Sequence, residues 1–580
     1  MGKILRVNMT SLSINVEENF SIYGGLGGRG LTSTIIANEV PPTCNPLGYH
    51  NKLSIAPGLL AGTNVPNSGR LSVGFKSPLT EGIKESNVGG TAAHFLGNLG
   101  ISAIVIEGLP EKENQYLLYL SKKESKLLPA SSYYGMKNYS LIEALRKEYG
   151  DKTSILSIGP AGEMKLATAT IAYTDINGFP CRHAGRGGAG AVMGSKGLKA
   201  IIIDNHGCSR FKEISFEEKF KEGISKLTNS ITKHPFTGYA LKIIGTNVLA
   251  SALNAVGSYQ SMNFRKGTFH YIENVCGEYI NEIIKKRGGK TSFGGCSTCN
   301  IQCSNVYLDE KGNHVTSGLD YETVWANGAN LGIFDFDLIA RLDRFCNEFG
   351  LDSDELGLSL GIAIEAGLIK FGDDQGILRL LGEIEKGTPL GRILANGSKI
   401  MGKVFGILRV PIVKNQGIAG YDPRALQGMG ITYSTSPMGA DSFAGWVVKS
   451  NLLSFGGNVS NYECAELINN SFNIQIFTAA MDCTGLCCFA NFPILDDPEG
   501  KDGFLVIMNA YYGRDVRLED IFALGKRVIK TERDFNILVG FTKADDRLPD
   551  FFKEESLPFN NNFAFTIPDD EIDRFWAKID

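Results

Sequence analysis

The spacing of the cysteines constrains the fold of this chain more than any other feature. Three of the twelve cysteines, Cys296, Cys299 and Cys303, follow a C-x2-C-x3-C pattern. Thiolates at this spacing can converge on one metal centre, and an iron–sulfur cube usually takes four of them. The other clustered cysteines lie in the segment MDCTGLCC at 481–488. We therefore expect the fold to bring the middle of the chain against its last quarter.

A four-thiolate zinc site is the main alternative. Structural zinc sites more often use two tight cysteine pairs, whereas Cys483 and Cys487 form only a loose second pair. The pattern favours an iron–sulfur site over zinc, and zinc over buried thiols without a metal. Disulfides are not expected, because we find no secretory signal and a chain of 580 residues needs no such crosslinks.

Composition argues against several classes of protein. A hydrophobic content of 43% and a charged content of 21% are ordinary for a soluble globular protein, and the length predicts two to four domains. The net charge of -4, without a concentrated Lys/Arg block, argues against a nucleic-acid partner. The most apolar run, at 356–364, is too short to cross a membrane. We expect a cytoplasmic protein.

Hydrophobic patterning divides the chain into a β-rich part and a helical remainder. Up to about Asn205, short β-rich runs alternate with glycine turns; later segments such as FDLIARLDRFCNEF repeat apolar residues at helical spacing. The prediction is an α+β chain. Its β-rich N-terminal domain spans 1–207, a helical domain with the three cysteines spans 208–415, and a helical C-terminal domain with the fourth cysteine spans 416–580.

Glycine-rich stretches in the first domain indicate an anionic ligand. Two of them, at 25–30 and 185–190, satisfy G-x-G-x-x-G, but neither sits in a clear strand–loop–helix unit with the acidic residue of a dinucleotide site. Each stretch alone is explained by a tight turn. Together, glycines beside arginines offer the backbone N–H groups and guanidinium groups that hold phosphates. The polar residues and glycines of these stretches include Arg29, Arg70, Lys76, Asn87, Gly89, Gly90, Arg182 and Arg186.

A short pattern, D-x-x-G-L, occurs twice near the cysteines, from Asp354 to Leu358 and from Asp482 to Leu486. A carboxylate three residues before a glycine can accept hydrogen bonds from the edge of a heterocycle while the glycine allows the ring to approach. Two copies point to two similar rings. The alternative for Asp354 is a helix N-cap.

Taken together, and in their order along the chain, these motifs resemble those of the aldehyde ferredoxin oxidoreductases, tungsten enzymes with a bis-pyranopterin cofactor beside a 4Fe-4S cluster. The resemblance runs from end to end. It implies a β-rich N-terminal domain that cradles the cofactor, followed by two mainly α-helical domains that complete the site. The matching segments are GKILRVN, YGGLGGRGL, SGRLSVGFKSPLTE, AGRGGAGAVMGSKGLKAI, C-x2-C-x3-C, DYETVWANGANLG, YDPRALQGMGITYSTS, DCTGLC and GFTKADDRLPDFF.

The resemblance also implies roles for individual residues. It selects Cys487 as the fourth cluster ligand, after Cys296, Cys299 and Cys303. The tungsten, or molybdenum, would be held by two pterins whose phosphates are bridged by Mg2+. Residues implied to contact the pterins are Asp354, Gly357, Leu358, Asp482, Gly485 and Leu486. Those implied for the pterin and phosphate region are Arg70, Lys76, Asn87, Gly89, Gly90, Arg182, His183, Gly185, Arg186 and Gly187.

The sequence departs from the family at one catalytic position. Glu322, in DYETVW, matches the glutamate of aldehyde-oxidising members, but Ser442 follows Asp441 where those members have a histidine. All seven histidines precede residue 320, so none downstream can replace it. The E-x-x-H iron site that joins subunits in some members is absent after Asn330. A homodimer remains open, but not one bridged in that way.

The resemblance implies oxidation of an aldehyde, a small-molecule substrate, to a carboxylic acid, with electrons passed to ferredoxin or to a dedicated iron–sulfur subunit. A tungsten- or molybdenum-bound oxygen, or a water activated by Glu322, would add to the carbonyl, and burial would raise the pKa of the Glu322 carboxyl. One alternative is a low-potential reductase of an aromatic acyl-CoA, or of another substrate, on the same cofactor. The other is a non-catalytic iron–sulfur electron-transfer subunit. Candidates for the proton-transfer role of the missing histidine are Asp441, Ser442, Tyr321 and Tyr433.

Overall fold

The computed structural model describes residues 2–18, 23–111, 114–209, 214–454, 458–460, 463–558 and 564–579. Its first part contains a mixed sheet in the spatial order β2-β1-β6-β3-β4-β5. Only β1 and β6 run parallel; the other neighbours are antiparallel. The strands are β1 (Lys3–Asn8), β2 (Ser13–Glu18), β3 (Leu53–Pro57), β4 (Leu71–Lys76), β5 (Ile83–Val88) and β6 (Ile101–Glu107).

A second mixed sheet follows, in the order β11-β10-β9-β12-β7-β8, with β7 and β12 as its parallel pair. Apolar residues of both sheets form one buried core, together with helices that pack on them. The strands are β7 (Tyr116–Leu120), β8 (Ser125–Pro129), β9 (Thr153–Ser157), β10 (Ile171–Tyr173), β11 (Arg182–Ala184) and β12 (Leu198–Asp204). The helices of this part are α1 (Gly28–Glu39), α2 (Ala92–Asn98), α3 (Asn138–Tyr149), α4 (Pro160–Glu163) and α5 (Ala189–Ser195).

The second glycine motif lies between β11 and α5, but β11 and β12 are not neighbours in the sheet. The unit is therefore not a parallel βαβ crossover, which agrees with the rejection of a dinucleotide fold.

The remainder of the chain is mainly helical. In the described residues, no helix is both long enough and apolar enough to span a membrane. The helices are α6 (Glu217–Lys233), α7 (Leu241–Ile244), α8 (Leu249–Ala255), α9 (Gly277–Lys286), α10 (Tyr321–Asn327), α11 (Phe336–Phe349), α12 (Ser353–Glu365), α13 (Asp374–Glu385), α14 (Pro389–Leu394), α15 (Ser398–Phe405), α16 (Gln427–Thr435), α17 (Val448–Asn451), α18 (Cys464–Thr484), α19 (Asn491–Asp496), α20 (Pro498–Tyr512), α21 (Leu518–Val539), α22 (Phe551–Glu554) and α23 (Asp569–Trp576).

This part also contains strands that the sequence analysis did not predict. A three-stranded antiparallel sheet is formed by β13 (Lys290–Phe293), β14 (Ser304–Leu308) and β15 (His314–Ser317), and a short hairpin by β16 (Ile412–Val413) and β17 (Gln416–Gly417). Runs this short show little periodicity, so the neighbouring helical patterns dominate the prediction. The C-x2-C-x3-C segment is the connection between β13 and β14.

The predicted α+β organisation, with a β-rich first part and a helical remainder, is confirmed. Helix α1 joins the two parts, because it packs on β3 and β4 and also on α18 and α21. The change from sheets to helices occurs between β12 and α6. The exact division at 207 and at 415 stays a prediction.

Candidate active site

A cavity of about 380 Å³ lies where the first sheet meets the helices. Fifteen of the predicted site residues line it, and they come from both parts of the chain. They are Arg70, Asn87, Gly89, Arg182, His183, Gly185, Arg186, Cys296, Cys299, Cys303, Glu322, Asp354, Asp441, Asp482 and Cys487.

Other predicted residues lie outside this wall. Lys76 is buried away from it, because its ammonium group donates to the carbonyls of Pro42 and Cys44, 2.5 and 2.7 Å away. The others are backbone or packing positions behind the wall: Gly90, Gly187, Tyr321, Gly357, Leu358, Gly485 and Leu486.

The connection between β3 and β4, at 58–70, brings the two cysteine segments together. The N–H of Asn67 donates to the carbonyl of Thr298 over 2.8 Å, and the carbonyl of Asn67 accepts from the N–H of Cys487 over 2.8 Å. Arg70 extends this contact, since its N–H donates to the carbonyl of Gly485 over 3.0 Å. One residue of the first part thus bridges the middle of the chain and its last quarter.

The thiols of Cys296, Cys299, Cys303 and Cys487 are close enough to influence one another electrostatically. Burial and the neighbouring thiols raise the pKa of Cys299 to about 12 and that of Cys303 well above its ordinary value. In the described part of the chain, no three Cys, His, Asp or Glu side chains converge on a single ion. A 4Fe-4S cluster usually takes four thiolates, the number of predicted ligand thiols that line this cavity.

The three cysteines of MDCTGLCC are not equivalent. Cys483 lies outside the cavity wall, with its thiol donating to the carbonyl of Ala479 over 3.1 Å. Cys487 and Cys488 both line the cavity. Of these two, only Cys487 is among the groups that raise the pKa values of both Cys299 and Cys303.

Two arginines and one glycine shape the wall beside the thiols. Arg70 donates through Nε to Asn87 Oδ1 over 2.5 Å. The Nε of Arg182 is buried without a hydrogen-bond partner in the described structure. A methyl group at Gly89 would lie 2.2 Å from Cys296 Sγ, so only glycine fits there. Close backbone and an unpaired guanidinium N–H suit an anionic group.

Arg186 organises a cluster of carboxylates at the start of α12. Its guanidinium lies 3.4 Å from Asp352, 3.9 Å from Asp354 and 3.5 Å from Glu355. Asp352 caps the helix by accepting from the N–H groups of Asp354 and Glu355. Asp354 is therefore not the N-cap but lies in the first turn. Burial raises its pKa to about 7 although Arg186 opposes the shift.

Asp482 has a different set of partners, near the end of α18. Arg29 Nη1 lies 3.3 Å from its carboxylate, and two further nitrogens of Arg29 bind Glu532 over 2.8 Å each. The Nδ2 of Asn87 reaches both Asp482 and Glu85, over 3.5 and 3.3 Å. Burial raises the pKa of Asp482 to about 6 and that of Glu85 to about 8.

Glu322 lines the cavity from the first turn of α10. Tyr421 donates its hydroxyl to Glu322 Oε1 over 2.8 Å. Burial, with the nearby charge of Asp354, raises the pKa of Glu322 to about 8, whereas the hydrogen bond from Tyr421 opposes that rise. Tyr321 stacks on Tyr421 with ring centroids 5.1 Å apart, but donates its hydroxyl away from the cavity, to the carbonyl of Gly420. Tyr321 is therefore not placed for proton transfer.

Asp441, another candidate for the role of the missing histidine, and His183, a predicted residue of the pterin and phosphate region, both line the cavity. Asp441 pairs with Lys84 over 3.0 Å, and Lys84 and Arg186 lower its pKa against the effect of burial. It is thus a fixed negative charge at neutral pH. His183 is neutral, because burial lowers its pKa to about 4, and its nitrogens meet Thr170 Oγ1 and the carbonyl of Pro180.

Comparison with known proteins decides the family. A model described as the aldehyde ferredoxin oxidoreductase N-terminal domain matches residues 4–205, and a model of domains 2 and 3 of the same family matches residues 222–576. The chain belongs to the aldehyde ferredoxin oxidoreductase family. The resemblance drawn from the motifs is confirmed.

Named relatives agree with this family assignment. Two proteins named tungsten-containing aldehyde ferredoxin oxidoreductase, from Pyrococcus abyssi and Pyrococcus furiosus, are 35% and 34% identical to it, each over 98% of this chain and 93% of the relative. An aliphatic sulfonate oxidoreductase, WOR-like subunit, from Pyrococcus furiosus is 26% identical over 96% of this chain and 90% of the relative. This member of the family is an oxidoreductase enzyme, so the non-catalytic alternative is wrong.

A solved structure shares the fold. It is the active site complex BamBC of benzoyl coenzyme A reductase in complex with 1,5 dienoyl-CoA, with a TM-score of 0.81 and 19% identity, covering 100% of this chain and 93% of that one. At that identity the likeness supports the fold alone.

Several residues in the cavity wall, or in contact with it, were not predicted from the sequence. Tyr421 was overlooked although it begins the quoted segment YDPRALQGMG, because nothing local marks its hydroxyl as a partner of Glu322. Lys84 and Glu85 belong to β5, IKESNV, which is buried despite its polar sequence. A polar strand between apolar ones was the available signal, since buried polar side chains need partners. Asn67 carried no such signal.

Proposed function

We propose that this enzyme oxidises an aldehyde to a carboxylic acid and releases two electrons to ferredoxin or to an iron–sulfur subunit. The observation that carries the proposal is the hydrogen-bonded Glu322–Tyr421 pair, of which Glu322 lines the same cavity as the four thiols. The overall change is RCHO + H2O → RCOOH + 2 H+ + 2 e−. The named tungsten relatives support this reaction class.

The residues of the cavity fit a tungsten bis-pyranopterin cofactor and a 4Fe-4S cluster. Cys296, Cys299, Cys303 and Cys487 would hold the cluster. The unpaired Nε of Arg182, with Arg70 and Arg186, would bind phosphates that share Mg2+. Bound in this cavity, the metal–pterin group would accept two electrons and the cluster would pass them on one at a time. Tungsten is preferred over molybdenum because the relatives are named for it.

Glu322 would act as the general base for the water that adds to the carbonyl. Its carboxylate takes a proton from this water, while Tyr421 holds the carboxylate oxygen by donating to it. With a pKa of about 8, Glu322 is mostly protonated at pH 7, so the active base form grows as the pH rises. Asp441 does not compete for the proton, because its pairing with Lys84 keeps it ionised.

The first test is Glu322→Gln in anaerobically purified enzyme, assayed by aldehyde-dependent reduction of a viologen dye. We expect kcat/KM to fall by about 10²- to 10⁴-fold, the usual contribution of a general base. Tungsten and iron content should not change, because Glu322 is not among the proposed ligands. Glu282→Gln, at an exposed position of α9, is the matched control. Normal turnover of Glu322→Gln would overturn the proposal.

Reduction of an aromatic acyl-CoA on the same cofactor is the second candidate. The buried Ser442 favours it, because it stands where aldehyde-oxidising members carry a histidine, and the BamBC structure shares the fold. Benzoyl-CoA tested with a low-potential donor separates the candidates: its reduction without any oxidation of aldehydes would favour the second.

The remaining parts of the proposal concern location and assembly. We propose a cytoplasmic location and electron exchange with a separate protein, and we keep the homodimer and the three-domain division as predictions. Electron transfer to purified ferredoxin, followed spectroscopically, tests the partner.

A further inference from the structure

A small recess adjoins the cavity. It encloses about 20 Å³, and Phe443, Thr478, Cys488 and Phe489 line both spaces. We name it the aromatic recess, after the four rings in its wall: Phe443, Trp446, Phe489 and Phe492. Its volume admits about one water-sized group. It therefore suits the end of a ligand whose body lies in the larger cavity.

The four rings hold one another in place. Trp446 meets Phe492 edge to face with centroids 5.7 Å apart, and Phe443 stacks on Trp446 at 6.3 Å. Phe489 packs edge to face on Phe443 at 6.0 Å. Such mutual packing stabilises ring orientations, so the recess is preformed rather than made by its ligand.

Two buried hydrogen-bond donors line this recess. Lys449 is only 3% exposed, and its ammonium makes a cation–π contact with the Phe492 ring. It lies 5.6 Å from the centre of the Phe492 ring and feels the charge of Asp496. The Nε1 of Trp446 is also buried without a partner. An unpaired buried N–H is costly, and a buried ammonium is stabilised by a nearby anion, so the two groups together favour an anionic ligand.

Asp496 does not neutralise Lys449 by direct contact. Its carboxylate lies 3.4 Å from His234 Nε2. The Oδ1 of Asn491 is buried without a partner, but an amide oxygen carries no net charge. The recess therefore presents an ammonium and an indole N–H to whatever enters it, which is a donor set for an anion.

The recess lies one side chain away from the proposed base. The Tyr421 ring packs edge to face on Trp446 with centroids 6.1 Å apart, while the Tyr421 hydroxyl donates to Glu322 over 2.8 Å. A ligand with one end in the recess can therefore place its carbonyl in the cavity that Glu322 lines. Benzaldehydes substituted opposite the aldehyde are rigid probes with their two polar groups at opposite ends.

We propose that the aromatic recess binds a carboxylate, or a similar small anion, at the far end of the substrate, so that the enzyme prefers aldehydes that carry an acid group. Lys449 and Trp446 Nε1 donate to the anion, and Phe443 and Phe489 flank the spacer. This assignment of substrate class rests on the proposed aldehyde oxidation.

The kinetic test compares two aldehydes that differ only in charge. We expect kcat/KM for 4-carboxybenzaldehyde to exceed that for methyl 4-formylbenzoate. Lys449→Met should lower this ratio by about 10- to 100-fold, the range for a buried hydrogen bond to a charged group. Trp446→Phe, which keeps the ring but removes the N–H, should lower it a few-fold. The control is Lys403→Met, at an exposed position of α15.

A binding test does not depend on turnover. Terephthalate, a dicarboxylate without an aldehyde, is titrated calorimetrically into wild-type enzyme and each variant. We expect Lys449→Met to weaken its binding by at least about 10-fold, and Lys403→Met to leave it unchanged. Iron content and melting temperature check that each variant folds. If Lys449→Met does not fold, Trp446→Phe still decides the question.

The outcomes separate the two proposals. An acid-to-ester ratio that stays at the wild-type value in Lys449→Met and Trp446→Phe overturns the recess assignment, even if aldehydes are oxidised. Terephthalate binding that depends on Lys449, in an enzyme that oxidises no aldehyde, supports the recess as an anion site and overturns the proposed function.

Discussion

The two D-x-x-G-L segments have the same local sequence but opposite structural settings. Asp354 lies in the first turn of α12, where the helix dipole favours a negative charge, whereas Asp482 lies in the last turn of α18, where the dipole opposes it. Each carboxylate nevertheless lines the cavity beside an arginine, Arg186 or Arg29. The repeated pentapeptide is therefore not a repeated local structure. What the segments share is the placement of a buried acid near a guanidinium group.

The glycines of the two segments differ in the same way. Gly485 ends α18 with φ of +85°, a left-handed conformation that disfavours any side chain. Gly357 is an ordinary helical residue, but a methyl group there would lie 2.4 Å from the carbonyl oxygen of Ala326 in α10. One glycine is needed for its backbone conformation, and the other for close helix packing.

The largest effect is expected from substituting cysteines of the Asp482 segment, because only this D-x-x-G-L segment is followed by a proposed cluster ligand. Cys487→Ser should lose the cluster, about four irons per chain, and all activity. Cys483→Ser should keep both, because its thiol bonds the carbonyl of Ala479 outside the cavity. Iron analysis of the two anaerobically purified variants measures the difference. An unchanged iron content in Cys487→Ser would contradict this assignment and indicate Cys488 as the fourth cluster ligand.

The second prediction concerns the arginine that serves the Asp482 segment. Arg29→Met should destabilise the protein by about 3–5 kcal/mol, because it leaves Glu532, a fully buried carboxylate, without its guanidinium partner. Ser33→Ala removes only a hydroxyl bond of 2.7 Å to the same carboxylate and should cost about 1 kcal/mol. Denaturant unfolding followed by circular dichroism compares them. Equal losses would mean that the ion pair adds nothing beyond a hydrogen bond.

The third prediction exchanges both glycines for alanine. Each change should cost about 1–3 kcal/mol, Gly485→Ala through backbone strain and Gly357→Ala through crowding of α10 against α12. Because α10 carries Glu322, only Gly357→Ala should also lower kcat/KM with metal content intact. Melting curves and aldehyde assays distinguish the two. If Gly485→Ala impaired turnover and Gly357→Ala did not, the assignment of their roles would be reversed.

The smallest expected effect concerns Glu322, whose pKa is raised by the nearby charge of Asp354 and lowered by the hydrogen bond from Tyr421. Since the base form of Glu322 is required, wild-type kcat/KM should rise with pH and level off above about 8. Tyr421→Phe removes a bond that lowers this pKa, so the profile should shift to higher pH and the rate at pH 7 fall by about 10-fold. The control, Tyr321→Phe, removes a hydroxyl that bonds Gly420 and should leave the profile unchanged. An unshifted profile in Tyr421→Phe would exclude Glu322 as the titrating base.

Local patterns in the sequence predicted the elements that depend on neighbouring residues. The alternation of β-rich runs with glycine turns predicted the sheets of the first part, and helical spacing predicted segments such as α11 and α18. The motifs predicted the family, together with fifteen of the residues that line the cavity. These predictions succeed because strand and helix periodicity, glycine turns and cysteine spacing are properties of short segments.

Only the tertiary structure decided which residues meet across the chain. It showed that Lys76 bonds the carbonyls of Pro42 and Cys44, that Tyr421 rather than Tyr321 meets Glu322, and that Lys449 is buried beside the Phe492 ring. Periodicity places a side chain on a face of its element, but it does not say which distant element packs there. That choice is made by burial and by the pairing of polar groups between segments hundreds of residues apart, as in Arg29 with Glu532.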